Sequence, residues 1–418
     1  MSKKEKVVLQ EDWVIVSLGF IIICASIFAF VLPVPTFSWK DGSDLLSKVL
    51  SFENLGKILL QFVFSLGVFL VGALLSYKPL KNIFLAFPIA YFLTILALVI
   101  AGNSQVKATN LEAVIFSLAI GLLIGNTIKL PTWFLSSLSA EFFVKIGLVI
   151  LGTTVIFSDI LKAGALGMIQ ALIVVLSVWY FAFWLCKRLK VDEELSMMIA
   201  SAVSICGVSA AIATAGAIKG DAKKLSYVIS LVLITAIPMM IFMPYVATYL
   251  GLSQEVTGAW LGGSIDTTGA VVASGTLVGE TALKVSTIVK FSQNVLLGLA
   301  AFAISIYWTY NKKTDEKGKA LKPTWGVIWE RFPKFVLGFV LASLLFSFFL
   351  SQEKITMVKD SLKNIQTFWF VLAFTCIGLE TKFSDIFNSE SQKPLIAFLI
   401  AQFFNILITL VLAYLLFQ

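Results

Sequence analysis

Lys290 stands in the middle of an apolar stretch, and Ser286, Thr287, Gln293 and Asn294 recur around it at spacings of three and four. On a helix those spacings gather all five side chains on one face. A stripe that joins an ammonium, two amides and two hydroxyls is costly against hydrocarbon, so it is expected to line a polar interior. A snorkelling lysine near a helix end is the plainer reading of Lys290 alone, but it leaves the neighbouring Gln and Asn without a reason. Asp266 is one of very few acids deep in an apolar run. An intramembrane carboxylate needs a partner or a cavity, and Lys290 is the expected partner across a polar cavity.

Asp266, Thr267 and Thr268 belong to Gly262-Gly-Ser-Ile-Asp-Thr-Thr-Gly269, where three glycines, three hydroxyls and one carboxylate interrupt a hydrophobic run. A second interruption, Ser201 to Ala211, places Ser204, Cys206, Gly207 and Ser209 together. Small residues in such runs also serve close helix packing. A helix within hydrocarbon breaks only where protein or a water-filled cavity satisfies the freed backbone groups. Non-helical backbone is therefore expected at or beside Gly207 and across Gly263 to Gly269. Glu380 and Thr381, after Gly378, form a weaker candidate at a membrane interface, where a carboxylate is cheap.

These residue types suit binding an ion or a small solute better than catalysis. Cys206 and Ser209 are candidate nucleophiles for an intramembrane enzyme, but the chain has no histidine to act as base. The four cysteines lie far apart, without metal or disulfide spacing, and no Gly-rich loop ending in Lys-Ser or Lys-Thr occurs. No cofactor, no metal and no enzymatic activity are expected.

The elements that must position these residues follow from composition. Of 418 residues 59% are hydrophobic and only 13% charged, against about 25% charged in soluble domains. The net charge of +8 sits in short basic loops and orients the chain in a bilayer rather than binding nucleic acid. Apolar runs near the ~20-residue spanning length occur at 13–34, 55–75, 83–101, 111–128, 141–157, 163–185, 194–217, 224–250, 253–279, 282–310, 333–350, 358–379 and 393–416. The first lacks a cleavage site and reads as a retained helix. The fold class is therefore all-α: one polytopic membrane-embedded domain over 1–418, with 11–13 transmembrane segments. Basic clusters at Lys3, Lys4 and Lys6, at Lys78 and Lys81, at Lys187, Arg188 and Lys190, and at 312–322 put the N-terminus in the cytoplasm of a bacterial inner-membrane protein. The lysines of 219–224 fall outside if the seventh and ninth segments cross, and inside if both are re-entrant hairpins. Thirteen spans and eleven spans plus two hairpins both stand.

Two self-similarities suggest inverted repeats. Gly152 to Ile160 matches Gly378 to Ile386 through Phe-Ser-Asp-Ile, and Ser204-Ile-Cys206 matches Ser264-Ile-Asp266, continuing to Lys224 against Lys284 and Ser226 against Ser286.

At Ser204-Ile-Cys-Gly-Val-Ser-Ala-Ala-Ile-Ala213, Gly263-Ser-Ile265, Val271-Val-Ala-Ser-Gly275 and Ile377-Gly-Leu-Glu-Thr381 the chain resembles the sulfate-exporter family of bacterial membrane proteins. That family looks related to the wider cation-antiporter and anion-transporter superfamily. The resemblance, which runs through most of the chain, implies inverted five-helix repeats, here 106–250 and 251–418 after extra helices over 1–105. It also implies discontinuous helices at segments seven and twelve, where the residues themselves point to seven and nine. Family members typically carry a His-Glu pair where this chain has Asp266-Thr267, and an arginine where it has Gln293. Without the arginine fork suited to a tetrahedral oxyanion, the likeness carries the fold and not sulfate.

The expected function is secondary transport, as an exporter, of a small anionic solute by alternating access. Its site would lie at Ser204, Cys206, Gly207 and Ser209 with Asp266, Thr267, Thr268, Lys290, Gln293 and Asn294, and more weakly at Glu380 and Thr381. The runner-up is a sodium- or proton-coupled cation antiporter using Asp266. The lipid bilayer and a small solute or ion are the expected partners, with a homodimer left open.

Overall fold

The computed structural model describes residues 11–76, 80–108, 112–311, 329, 332–381 and 392–418. Among them the chain is helical, and nine helical stretches are long and apolar enough to cross a membrane. Every backbone N–H and C=O inside hydrocarbon needs a partner, and a helix supplies it internally.

The chain packs as two compact units. The first, Met1–Ser158 with Lys334–Lys382, contains α1 (Glu11–Phe28), α2 (Phe52–Leu75), α3 (Leu80–Ala101), α4 (Ala113–Thr127) and α5 (Ala140–Leu151). The second, Asp159–Pro333 with Phe383–Gln418, holds most of α6 (Phe157–Arg188), then α7 (Glu193–Ser201), α8 (Val208–Ile218), α9 (Ala222–Tyr249), α10 (Gln254–Ser264), α11 (Thr268–Val278) and α12 (Glu280–Asn311). The chain then returns to the first unit for α13 (Lys334–Leu344) and α14 (Gln352–Glu380), and ends in the second with α15 (Lys393–Phe417).

Aromatic side chains fill the first unit. Phe69 meets Phe143 edge-on at 4.8 Å between ring centroids, and Tyr91 meets Phe368 at 5.3 Å. Asp12 joins three helices, accepting from Lys145 Nζ at 2.8 Å and from the Lys334 backbone N–H at 3.1 Å. The twelfth apolar segment, a break under the superfamily scheme, is an uninterrupted stretch of α14. Its Gly378 does not loosen the helix. A Cβ there would lie 2.6 Å from the Leu118 carbonyl oxygen and 2.8 Å from Gly121 Cα, so the glycine serves backbone contact between α14 and α4.

In the second unit, segments seven and nine do break. Met198 of α7 packs against Gly220, beyond the end of α8, and Lys224 Nζ reaches back to Asp192 Oδ1 at 2.6 Å and Glu194 Oε2 at 3.0 Å. Were α7 and α8 collinear, these residues would lie some tens of ångströms apart at ~1.5 Å per residue. The two arms are antiparallel and form a re-entrant hairpin. The same test holds for α10 and α11: Gln254, the first residue of α10, lies against Gly279 at the end of α11 and accepts the Ala282 N–H at 3.4 Å. Between the two hairpin mouths runs α9, 28 residues long, so the hairpins enter from opposite ends of the unit.

Segments seven and nine therefore do not run straight through, which sets aside thirteen full spans; among the described residues the nine long helices are candidates to cross, with the shorter apolar helices Ala113–Thr127 and Lys334–Phe349 beside them. Residues 219–224 lie at the same end as Lys187, which pairs with Glu193 at 3.3 Å. Of the basic clusters, those at 3–6 and 312–322 lie outside the described residues, as does Lys78.

Candidate functional site at the hairpin tips

The first hairpin turns through a wide π-helical turn, Ala202–Cys206, closed by the Gly207 N–H donating to the Ala202 carbonyl at 2.9 Å. Gly207 then takes φ +57° and ψ −111°, a conformation that L side chains rarely adopt. A Cβ on it would also sit 2.6 Å from Val232 Cγ1 and 3.1 Å from Asp266 Cβ. The second hairpin turns differently. Ile265 and Thr267 are extended, Asp266 lies between them, and Thr267 Oγ1 accepts the Ala270 N–H at 3.3 Å to cap α11. The glycine-rich interruption is thus broken only at 265–267. Gly262 and Gly263 stay helical, and Gly262 lies directly against the Ser286 backbone of α12.

The tips meet. Asp266 is in contact with Gly207 across them, and two helices latch them from the sides. From α12, Lys290 Nζ donates to the Ile205 carbonyl and to Gln293 Oε1, both at 2.9 Å. Gln293 Nε2 donates to the Ser204 carbonyl at 3.0 Å and the Gly263 carbonyl at 3.1 Å, one from each hairpin. From α15, Asn405 Nδ2 donates to the Val203 carbonyl at 3.0 Å and the Ser264 carbonyl at 3.2 Å, again spanning both. Gln402 Nε2 donates to the same Ser264 carbonyl at 2.8 Å. These donors answer the carbonyls that α7 and α10 leave open at their C-terminal ends.

Ser286, Thr287, Lys290, Gln293 and Asn294 are all buried, so the stripe does face inward. The expected ion pair is absent. Lys290, 1% exposed, sits at the carbonyl end of the first hairpin arm, while Asp266, 2% exposed, sits beside Gly207 at the start of α8. Lys290 thus answers the carbonyl end of the first half-helix. Asn294 Nδ2 donates to Thr268 Oγ1 at 3.3 Å, drawing Thr268 into the same cluster. Cys206 is buried, and Ser209 is half-buried on the first turn of α8.

Glu380 and Thr381 belong to the first unit. Thr381 Oγ1 donates to the Ile377 carbonyl at 2.7 Å, Asn126 Nδ2 donates to the Thr381 carbonyl at 2.9 Å, and the Glu380 carboxylate takes the Ala140 N–H at the start of α5.

Sequence reasoning passed over Gln170, Gln402, Asn405 and Thr409. Gln170 Nε2 donates to the Ala259 carbonyl at 2.9 Å, and Thr409 Oγ1 donates to Asn405 Oδ1 at 2.9 Å. The signal was present: Gln402, Asn405 and Thr409 recur at three and four within an apolar run, the rule that found Lys290. Both members of the Ser-Ile pair, Ser204-Ile205 and Ser264-Ile265, lie at hairpin tips. The other pair starts α6 at Phe157, where the chain passes between units, and its partner block 383–386 lies outside the described residues.

Nine helices long and apolar enough to cross a membrane, among the described residues, and two opposed hairpins mark an all-α, multi-pass membrane protein. The chain belongs to the family described as Conserved hypothetical protein 698, whose family model matches residues 85–398. It is 42% identical over 371 residues to the UPF0324 membrane protein RB9488 of Rhodopirellula baltica, covering 84% of this chain and 68% of that one. It is 36% identical over 377 residues to a UPF0324 membrane protein of Nitratidesulfovibrio vulgaris, covering 87% and 65%. The chain thus spans about two thirds of the length of these relatives, which are described as membrane proteins with no solute named. No solved structure matches it.

Proposed function

We propose that this chain is a secondary transporter that exports a small anionic solute across the bacterial inner membrane by alternating access. The observation that carries the reading is the meeting of two re-entrant hairpins, entering from opposite ends, at a buried polar crossing. Irregular backbone at membrane depth occurs where it lines a site, and discontinuous helices of this kind hold substrate at the midplane of transporters. Support for an anion comes from Lys290 and from the start of α8, which carries no side-chain cap and presents backbone N–H groups to the crossing. Ser209, Thr267 and Thr268 are half-buried there and offer hydroxyls at the rim. The 204–226 and 264–286 similarity fits an inverted pair working about this point. Sulfate is one member of the anion class and has no arginine fork waiting for it.

The test is counterflow into proteoliposomes with a panel of small labelled oxyanions and carboxylates. Exchange of at least one anion, reduced about tenfold or more by Lys290→Met, supports the reading. Absence of exchange for every anion, in vesicles where the protein is folded, overturns it. Asp266, whose Oδ2 has no hydrogen-bond partner, favours a second reading, a cation antiporter. That protein would move sodium or protons with no added anion.

A further inference from the structure

A second set of polar residues gathers within the first unit alone. A cleft of about 730 Å³ opens between the loop 35–38, the end of α3 and the N-terminal half of α14, within the roughly 300–1,000 Å³ of small-molecule sites. Asp360, Lys363, Asn364 and Thr367 line it, and their spacings of three and four place them on one face of α14. The 29 residues of α14 rise about 43 Å at ~1.5 Å each. That exceeds the ~30 Å of hydrocarbon, so its charged first turns reach the interface. The facing wall is irregular backbone held in place. Asn54 accepts the Thr36 N–H at 2.7 Å and donates to the Thr36 carbonyl at 2.8 Å. Trp39 donates its N–H to the Gly102 carbonyl at 3.1 Å and accepts the Ser104 N–H at 2.9 Å, and a Cβ on Gly102 would collide with the Phe37 carbonyl. Ser361 Oγ ties α14 to the Leu32 carbonyl at 2.9 Å. A wall fixed in this way spares a ligand the cost of ordering it.

The lining carries two ammoniums, Lys107 and Lys363, and two carboxylates, Glu112 and Asp360. Lys107 Nζ is answered by a neutral partner, Ser38 Oγ at 3.2 Å, and Glu112 precedes α4 without using its side chain to cap it. Asn364 Nδ2 is buried and finds no acceptor among the described residues, and an unmet buried donor bears its desolvation cost. A lone anion or a lone cation would be attracted by one pair of charges and opposed by the other. A molecule carrying both signs gains from each. We infer that this cleft binds a small zwitterion, its carboxylate or phosphate oxygens received by Asn364 and Lys107 and its ammonium by Asp360 and Glu112. A free amino acid and a phosphoethanolamine lipid headgroup share this chemistry. Leu32 follows α1 at the end opposite Asp12, so with a cytoplasmic N-terminus the cleft takes its ligand from the periplasmic side. The inference stands apart from the transport reading, which rests on the other unit.

The test uses the purified full chain in detergent, titrated with glycine, β-alanine and short-chain phosphatidylethanolamine, with acetate and ethylammonium as single-charge controls at equal ionic strength. A saturable rise in Tm with at least one zwitterion, and none with either control, is expected. Lys107→Gln and Asp360→Asn each weaken that binding about tenfold, and Lys359→Gln, next to Asp360 but outside the lining, leaves it unchanged. Asn364→Leu separates binding from structure: the ligand response is lost while the Tm of the free protein holds or rises, because an unmet donor is removed. A response to the lipid alone supports the site with a headgroup as occupant, and a response to the amino acids supports it with a soluble one. No saturable response to any zwitterion, an equal response to acetate, or full binding retained in both Lys107→Gln and Asp360→Asn overturns it.

Discussion

Lys290 gives its ammonium to the Ile205 carbonyl at 2.9 Å and forms no ion pair with Asp266. Lys290 answers the carbonyl end of the first broken helix, and its attraction to Asp266 acts without direct contact. Lys290→Met should destabilise the protein by about 1–3 kcal/mol, the cost of leaving a buried acceptor unpaired. In a double-substitution cycle with Asp266→Asn, read by thermal unfolding in detergent, the coupling should stay near or below about 1 kcal/mol. Breaking a direct buried pair costs roughly 3–5 kcal/mol, so a coupling of that size would show that the two side chains touch.

Gly207 is expected to tolerate no side chain. Gly207→Ala combines a positive φ with contact at 2.6 Å to Val232, and strained backbone alone costs about 1–3 kcal/mol. Gly164→Ala is the control, since its Cβ would meet only Ile288 Cγ2 at 3.8 Å inside a helix, where alanine is favoured by up to about 1 kcal/mol. The first should lower Tm and the second hold or raise it. Equal effects would mean that the tip conformation is not demanding.

The hairpin reading makes a topological prediction. Residues 187–190, 219–224 and 311–324 should all face the cytoplasm and the C-terminus the periplasm. Single cysteines at Lys190 and Lys219, introduced into a cysteine-free chain, should both resist an impermeant maleimide in intact cells and both react in inverted vesicles. Opposite labelling would restore the thirteen-span arrangement, and a C-terminal reporter active only in the cytoplasm would overturn the orientation.

The mouth of the first hairpin should loosen in acid. Burial opposes ionisation of Asp192, but the Lys224 ammonium and the Leu195 N–H outweigh it and hold its carboxyl below the usual carboxylate range. A lowered folded pKa contributes stability above the unfolded value, about 3.9, and that stability fades as pH falls through the folded one. Lys224→Gln should therefore lower Tm at neutral pH and flatten the acid limb. Since Asp192 is half exposed, high salt should screen much of the effect. An unchanged acid limb in Lys224→Gln would remove the pair from the account.

The transmembrane character, the buried stripe around Lys290 and the break at Gly207 were all legible as sequence. Each depends on local pattern: apolar length against bilayer thickness, spacing around one helix, and a residue type that alone accepts the required backbone. The charge of residues 219–224 even favoured hairpins over spans, although run length argued against it. Gln402 and Asn405 were legible by the same spacing rule and went unused, because their helix is otherwise apolar enough to read as plain membrane anchor.

What the sequence determined by itself, then, was which residues leave the hydrocarbon and which stretches cannot remain helical. It could not determine partners. Whether α7 and α8 continue or fold back depends on Met198 meeting Gly220 and Lys224 meeting Asp192, contacts 22 and 32 positions apart. Only tertiary structure sets Lys290 against a carbonyl instead of a carboxylate, because half-helix ends carry charge that no residue letter records.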